Sequence, residues 1–399
     1  MRTCLTKTAL GTPSHLAYEP GRGYAWAGDL TEDDWSLGEV GRVRDLTELA
    51  HAMGSELAWR PPKAHERAFR ELLGENADLT GIRWDLAVPR EVFLESVRDV
   101  FQRSQELLKN SDEWNYLGTF ERTQRAICDL APVTVDRACL VELLGSAPEG
   151  RREDLRSLSG GGQVRYSRMT TTGRLSVVRG PRILTLDRRF RSALRSRHGD
   201  DGLIVQLDYV SLEPRVTLGL TGQDAPSDVY SILSGSVSEL SRDDLKRATM
   251  TVLFGGGLPR LQEVLGGSRD PTAVMDGLRS AFRLRTLEDR LIQEHNVAGL
   301  VLNHYGRVMV PRRSDSGYLV ATHVQSTAVD VALLGFGRIR QEASQIDGID
   351  AIGIVHDALW LDVHRDVAGY TERLREVGSE VPGFDLRFPL GEKNVHEQG

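Results

Sequence analysis

At 399 residues with 40% hydrophobic content and a formal net charge of −7, the chain can bury a sizeable core and divides more naturally into two or three sub-domains than into one. The acidic balance excludes a protein that coats nucleic acid through bulk positive charge, although it leaves local patches open. No run of eighteen apolar residues and no apolar leader with a small-residue cleavage site is present, so a cytoplasmic location without membrane contact is expected; Cys4, Cys128 and Cys139 form neither a close-spaced metal motif nor a disulfide framework.

The first sixty residues are rich in turn formers, lack sustained periodicity and are assigned no element. Residues 64–73 and, more clearly, 90–108 repeat apolar side chains at helical spacing, the latter through Val92, Phe93, Val97, Val100, Phe101, Leu107 and Leu108. A helical pair is predicted over 119–130 and 135–144, with Ala131-Pro132-Val133 as the break. Ser159 and the glycines at 160–162 read as a flexible joint. The main boundary is placed there, between a mainly helical region over 1–158 and a second region over 159–399.

Beyond the joint, ten arginines (165, 168, 174, 179, 182, 188, 189, 191, 195 and 197) stand against a single acidic residue, Asp187. An isolated charge run reads as a solvated face, but this one leads directly to a carboxylate candidate, so it is taken as a phosphate-binding surface that includes Arg182 and Arg188. The run 203–207, Leu-Ile-Val-Gln-Leu, suits a buried strand that ends on Asp208. The run 351–355 ends on His356-Asp357, and 359–363 alternates like a returning strand, so strand, tight turn, strand is the simplest reading. Helical patterns cover 241–254 and 321–340. The second region is therefore α+β, with helices packed on a small, mainly antiparallel sheet.

Two aspartates at the ends of buried strands would suit nucleotidyl transfer, which needs two divalent ions bridged by carboxylates. Alone the signal is weak, because an aspartate after a strand is more often a turn residue. On the 242–255 helix, Arg242 and Lys246 share a face with Met250 and Phe254 further along. Cations for phosphates followed by apolar groups for sugar and base is the order a nucleoside triphosphate needs. Spacing by itself still favours an ordinary amphipathic helix.

The joint order of these segments resembles the family-A DNA polymerases. Thr172-Gly173-Arg174-Leu175-Ser176 is similar to the segment that leads into the family's palm, and Asp208-Tyr209-Val210-Ser211-Leu212-Glu213-Pro214-Arg215 to its motif A. Asp228-Val229-Tyr230 with Arg242, Lys246, Phe254 and Gly255 resembles motif B, and Val355-His356-Asp357 resembles motif C. Gln325 stands where the family has a glutamine facing the primer-template. The resemblance covers roughly 163–365, and more faintly 120–144, where Val135-Asp136 echoes the segment before the thumb.

The resemblance implies a polymerase palm, helical fingers over about 225–320, and DNA-directed DNA synthesis on primer-template DNA with dNTPs. It implies that Asp208 and Asp357 bind two Mg2+ ions, with Mn2+ as a substitute, that Lys246 also takes part in catalysis, and that Arg242, Lys246, Met250, Phe254 and Tyr230 face the nucleotide. Glu213 would screen the sugar 2′ position, while Arg174, Gln325 and His356 would meet nucleic acid. Three departures stand out: Met250 where a shape-selective residue is usual, Tyr230 in place of histidine, and Ala358 in place of an acidic residue after Asp357. Asp362 could compensate, but its place on the returning strand points it to solvent.

Only about 35 residues separate Val135-Asp136 from Thr172, too few for a full thumb, which predicts low processivity and an accessory protein in the thumb's place. No carboxylate set in 1–160 matches a proofreading exonuclease. Three rivals stand beside this reading. His356-Asp357 suggests an HD-type phosphohydrolase, which the flanking β-branched residues disfavour. A thumbless palm could instead tail or make oligonucleotides without a template, and a degenerate palm could simply bind nucleic acid.

Overall fold

Largely buried strand segments over 202–209, 349–355 and 358–364 build the sheet at the centre of the second half of the chain. A computed structural model describes residues 1–39, 41–79, 81–232, 240–266 and 270–396, in two compact units, Met1–Cys128 and Asp129–Gly399. In the second unit, strands Ile349–Val355, Ala358–His364, Gly202–Tyr209 and Leu390–Asn394 lie side by side in that order, every neighbouring pair antiparallel. The predicted strand, turn, strand over 351–363 is present, and Val355 pairs with Ala358, so His356 and Asp357 form a two-residue turn. Ala358 pairs with Asp208 on one side, and Gly391 pairs with Asp208 on the other.

One face of this sheet is sealed by the helix Ser316–Ala343. Val205, Leu207 and Tyr209 are buried, and the Tyr209 and Phe336 rings lie 5.5 Å apart. Tyr209 Oη donates to the Gly378 carbonyl at 2.8 Å. The close approach requires Gly335, where a Cβ would fall 1.7 Å from Tyr209 Oη. This helix is long and apolar enough to cross a membrane, but 83% of its most apolar window is buried within the protein, as befits a core helix.

Helices Arg242–Leu253, Leu258–Leu265, Pro271–Ala281 and Leu284–Ala298 follow the first half of the sheet. Ser241 and Asp270 cap the first and third of these with side-chain oxygens. Residues 233–239 and 267–269, within the stretch expected to form fingers, lie outside the described residues.

Contacts divide the chain after Cys128, not after residue 158. The Ala131 amide donates to the Ala351 carbonyl at 2.7 Å, and Thr134–Val135 pairs with Leu194–Arg195, so residues from 129 onward are tied into the second unit. The glycines at 160–162 are not a free joint: Val133 and Gly162 exchange backbone hydrogen bonds at 2.9 and 3.1 Å. In the first unit, helices Arg90–Ser111 and Leu117–Ile127 match the predicted ones, but the region is not only helical. Strands Gly23–Ala27, His15–Glu19, Thr3–Leu5 and Trp35–Leu37 form a sheet in that order, the last two parallel. These strands are three to five residues long, too short for period-2 alternation to stand out from the surrounding turns.

Candidate active site

Asp208 and Asp357 come together because their strands are neighbours. Asp208 lies opposite Ala358, one residue from Asp357, and the Tyr209 amide donates to the Asp357 carbonyl at 3.1 Å. His356 occupies the left-handed region at φ +57°, which a tight hairpin turn demands. Burial, and then the neighbouring Asp357, pushes the Asp208 carboxyl up to about 6, against the opposing pull of Lys393, Gln206 and Lys246. Burial also raises Asp357, while His356, Lys246 and Arg174 favour its ionised form.

Two partly desolvated carboxylates that resist ionising side by side are what a cation would relieve. Among the described residues no group of three or more His, Cys, Asp or Glu could hold a metal unaided. Two carboxylates as the protein's share suit a divalent cation that keeps waters among its further ligands.

Beside Asp357 opens a cavity of about 500 Å³. Arg174, Arg182, Glu213, Gln325 and His356 share its lining with Asp357, and Leu175, Val177, Leu212, Ala328 and Ala332 form an apolar wall. Residues more than 180 positions apart thus meet in one place, brought there by the sheet register and the 316–343 helix. Glu213 enters from the helix Leu212–Leu220, whose start is set by Ser211 in the left-handed region at φ +55°. Burial raises the Glu213 carboxyl, and Asp357 adds to the effect while Arg174 opposes it.

Arg242, Lys246, Met250 and Phe254 lie outside this cavity lining. Lys246 is exposed, and its charge favours the ionised forms of both Asp208 and Asp357. Arg242 is engaged elsewhere: Nη1 meets Asp228 Oδ2 at 2.5 Å, and the guanidinium lies 5.9 Å from the Tyr230 ring centroid. Tyr230 is buried, and Ser211 lies within hydrogen-bonding reach of its hydroxyl. Phe254 caps the helix and is 37% exposed; Gly255 follows at φ +73°, where a Cβ would fall 2.8 Å from the Gly317 backbone.

The arginine run is not one open phosphate-binding surface. Arg168 is buried against Asp330, and Arg182, Arg189, Arg195 and Arg197 pair with Glu153, Asp187, Asp136 and Asp350. Arg191 lies over the Trp360 ring at 4.9 Å. Arg174, Arg179 and Arg188 are exposed and form no side-chain ion pair among the described residues. Asp362 does not face solvent. It is buried, accepts from Ser196 Oγ at 2.5 Å and from the Arg197 amide at 2.8 Å, and sits four residues along the strand from Ala358.

The support around Asp208 carries no local signal in the sequence. Trp360 Nε1 and Arg191 Nη1 donate to Gln206 Oε1 at 3.3 and 3.2 Å, and Lys393 lies across from Gln206 on the last strand. Nothing local marks Lys393; only strand pairing brings it near Asp208.

No protein-family model matches the chain, and no curated protein matches it. Among solved structures, it is similar to the POL domain of Pol1 from M. smegmatis in complex with DNA primer-template and dNTP, with a TM-score of 0.66 at 13% identity. The match covers 98% of this chain and 94% of that one. The chain has a polymerase-domain fold. This agrees with the expected α+β class, and the structure is mixed in composition, 49% helical and 16% strand. At 13% identity the likeness is one of architecture, so roles for individual side chains rest on their own geometry.

Proposed function

We propose that the chain is a DNA-directed DNA polymerase of the family-A type, adding deoxynucleotides to a primer 3′-hydroxyl. The observation that carries this reading is the meeting of Asp357, Glu213, Arg174 and Gln325 in one cavity, with Asp208 on the adjoining strand. Asp208 and Asp357 would hold the Mg2+ ions, which when bound supply activation of the attacking hydroxyl and stabilisation of the leaving pyrophosphate.

The chain's own side chains account for the rest. Lys246, already in the field of both carboxylates, offsets triphosphate charge, and Arg242 joins it on leaving Asp228. Glu213, mostly desolvated, excludes a sugar 2′-hydroxyl, selecting deoxynucleotides. Arg174 and Gln325 bracket the cavity where the end of the duplex would lie, beside His356 and Arg182. Met250 and Phe254 would form the softer wall against sugar and base. Buried Ala358 adds no third carboxylate, and Asp362 is committed to Ser196 and Arg197.

Residues 137–157 form two short helices, Arg137–Ser146 and Glu149–Ser157, which we read as a reduced thumb. Weak duplex hold and low processivity follow, relieved by an accessory protein, and no proofreading is proposed.

The test is primer extension with each dNTP and rNTP, in Mg2+ or Mn2+, on templated and template-free substrates. Incorporation opposite the complementary base only, lost in Asp208→Ala, supports the reading. Addition without a template would instead make the chain a terminal transferase. No incorporation at all, with DNA still bound, would make it a binding protein.

A further inference from the structure

Beneath the turn that presents Arg174 lies a sealed charge cluster. Arg168, Arg307 and Asp330 are 1%, 1% and 0% exposed. Arg168 pairs with Asp330 Oδ1, and Asp330 Oδ2 accepts from Asn303 Nδ2 at 2.6 Å. Asn303 Oδ1 accepts the Tyr305 and Arg307 amides at 3.0 and 2.9 Å, closing the hairpin that carries Arg307. Arg307 Nη2 donates to the Arg168 carbonyl at 3.1 Å, and Arg168 Nε donates to the Gly173 carbonyl at 3.4 Å.

The turn rests directly on the two guanidiniums. Gly173 is at φ +72°, and a Cβ there would lie 3.1 Å from Arg307 Nε and 3.2 Å from Arg168 Nη2. The Gly173 amide closes the turn on the Thr170 carbonyl at 3.0 Å, and the next residue is Arg174. Asp330 lies five residues beyond Gln325 on the same helix. The cluster therefore joins the segment bearing Arg174 to the segment bearing Gln325, two of the polar groups that reach the cavity from different elements.

Burying an ion pair costs desolvation that its attraction often fails to offset, and well-packed apolar residues can hold a core as firmly. Apolar contacts lack direction, whereas these hydrogen bonds set where the Gly173 carbonyl, and hence Arg174, must lie. We propose that Arg168 and Asp330 are positioning residues that hold Arg174 in register with Gln325 over the Glu213 and Asp357 carboxylates. Building on the polymerase reading, the pair sets how the primer end is seated.

The test replaces the pair together, Arg168→Met with Asp330→Leu, because either change alone strands a buried charge. Thermal unfolding checks folding, amide hydrogen exchange reads residues 169–174, and primer extension gives kcat and dNTP KM. We expect a folded protein with faster exchange in the turn and kcat lowered roughly ten- to a hundredfold, as for a small misplacement of a reacting end. Arg174→Ala should be costly in the parent protein and nearly without further effect in the paired variant. Additive losses, or unchanged exchange and kcat, overturn the proposal. If the paired variant does not fold, Arg168→Lys serves: it keeps a charge for Asp330 but has no Nε to reach Gly173, and it should show the same non-additivity with Arg174→Ala, additivity again refuting the idea. A parent protein that extends no primer would sink the polymerase reading, while hydrogen exchange would still decide whether the pair holds the turn.

Discussion

Asp357 stands in the turn beside Asp208, and its charge adds to burial in pushing the Asp208 carboxyl up to about 6. The folded protein thus binds this proton more tightly than the unfolded chain, whose aspartate titrates near the ordinary 3.8. The stabilising contribution is complete below the unfolded value and is lost as pH rises through about 6. In the absence of divalent ions, Asp208→Asn should melt a few degrees above the parent at pH 7.5, with the gap closing near pH 4. Scanning calorimetry reads this, and a gap that does not depend on pH would contradict it. Primer extension by the same variant should be abolished.

Arg242 is held by Asp228, 2.5 Å away, with side chains 70% and 39% exposed. An exposed pair of this kind contributes roughly 0.2–1 kcal/mol, which on the proposed reading a triphosphate would have to overcome to recruit Arg242. Asp228→Asn should therefore lower the dNTP KM by up to about fivefold at low salt, with less effect as salt is raised. A raised KM would mean that Asp228 supports Arg242 instead of competing for it.

Glu213 lines the cavity next to Asp357 and is largely desolvated. If it screens the sugar, Glu213→Ala should bring the kcat/KM values for rNTPs and dNTPs closer by about tenfold or more, since an unpaired hydroxyl is strongly rejected only by a site built against it. Single-nucleotide incorporation with matched dNTP and rNTP pairs measures the ratio. An unchanged ratio would remove Glu213 from sugar selection.

Gly335 leaves room for Tyr209, the residue after Asp208. A methyl group at 335 would fall 1.7 Å from Tyr209 Oη and 2.8 Å from the Gly378 carbonyl, so Gly335→Ala must displace the ring and break its 2.8 Å hydrogen bond. Overpacking of this sort costs about 1–3 kcal/mol. Urea unfolding should show that loss, with reduced extension because the strand end carrying Asp208 shifts with Tyr209.

The hairpin that carries Asp357 was legible in the sequence because its determinants are local: an apolar, β-branched run over 351–355, alternation over 359–363 and a two-residue turn between them. The helices at 90–111 and 242–253 were legible for the same reason, since helical spacing is a short-range signal. Short strands such as Thr3–Leu5 and Trp35–Leu37 were not, because they become strands only by pairing with each other across the chain. The arginine run shows the same limit within the site. Which of its members are ion-paired depends on partners such as Asp330, Asp350 and Asp136, between 59 and 162 positions away in the hydrogen-bonded cases of Arg195 and Arg168. By itself the sequence determined the order of the candidate residues and the local shapes that present them. Only the tertiary structure decided that Arg174, Glu213, Gln325 and Asp357 share one cavity, that Arg168 lies buried beneath it and that Asp362 faces inward, because burial and ion pairing depend on distances through space that no local pattern encodes.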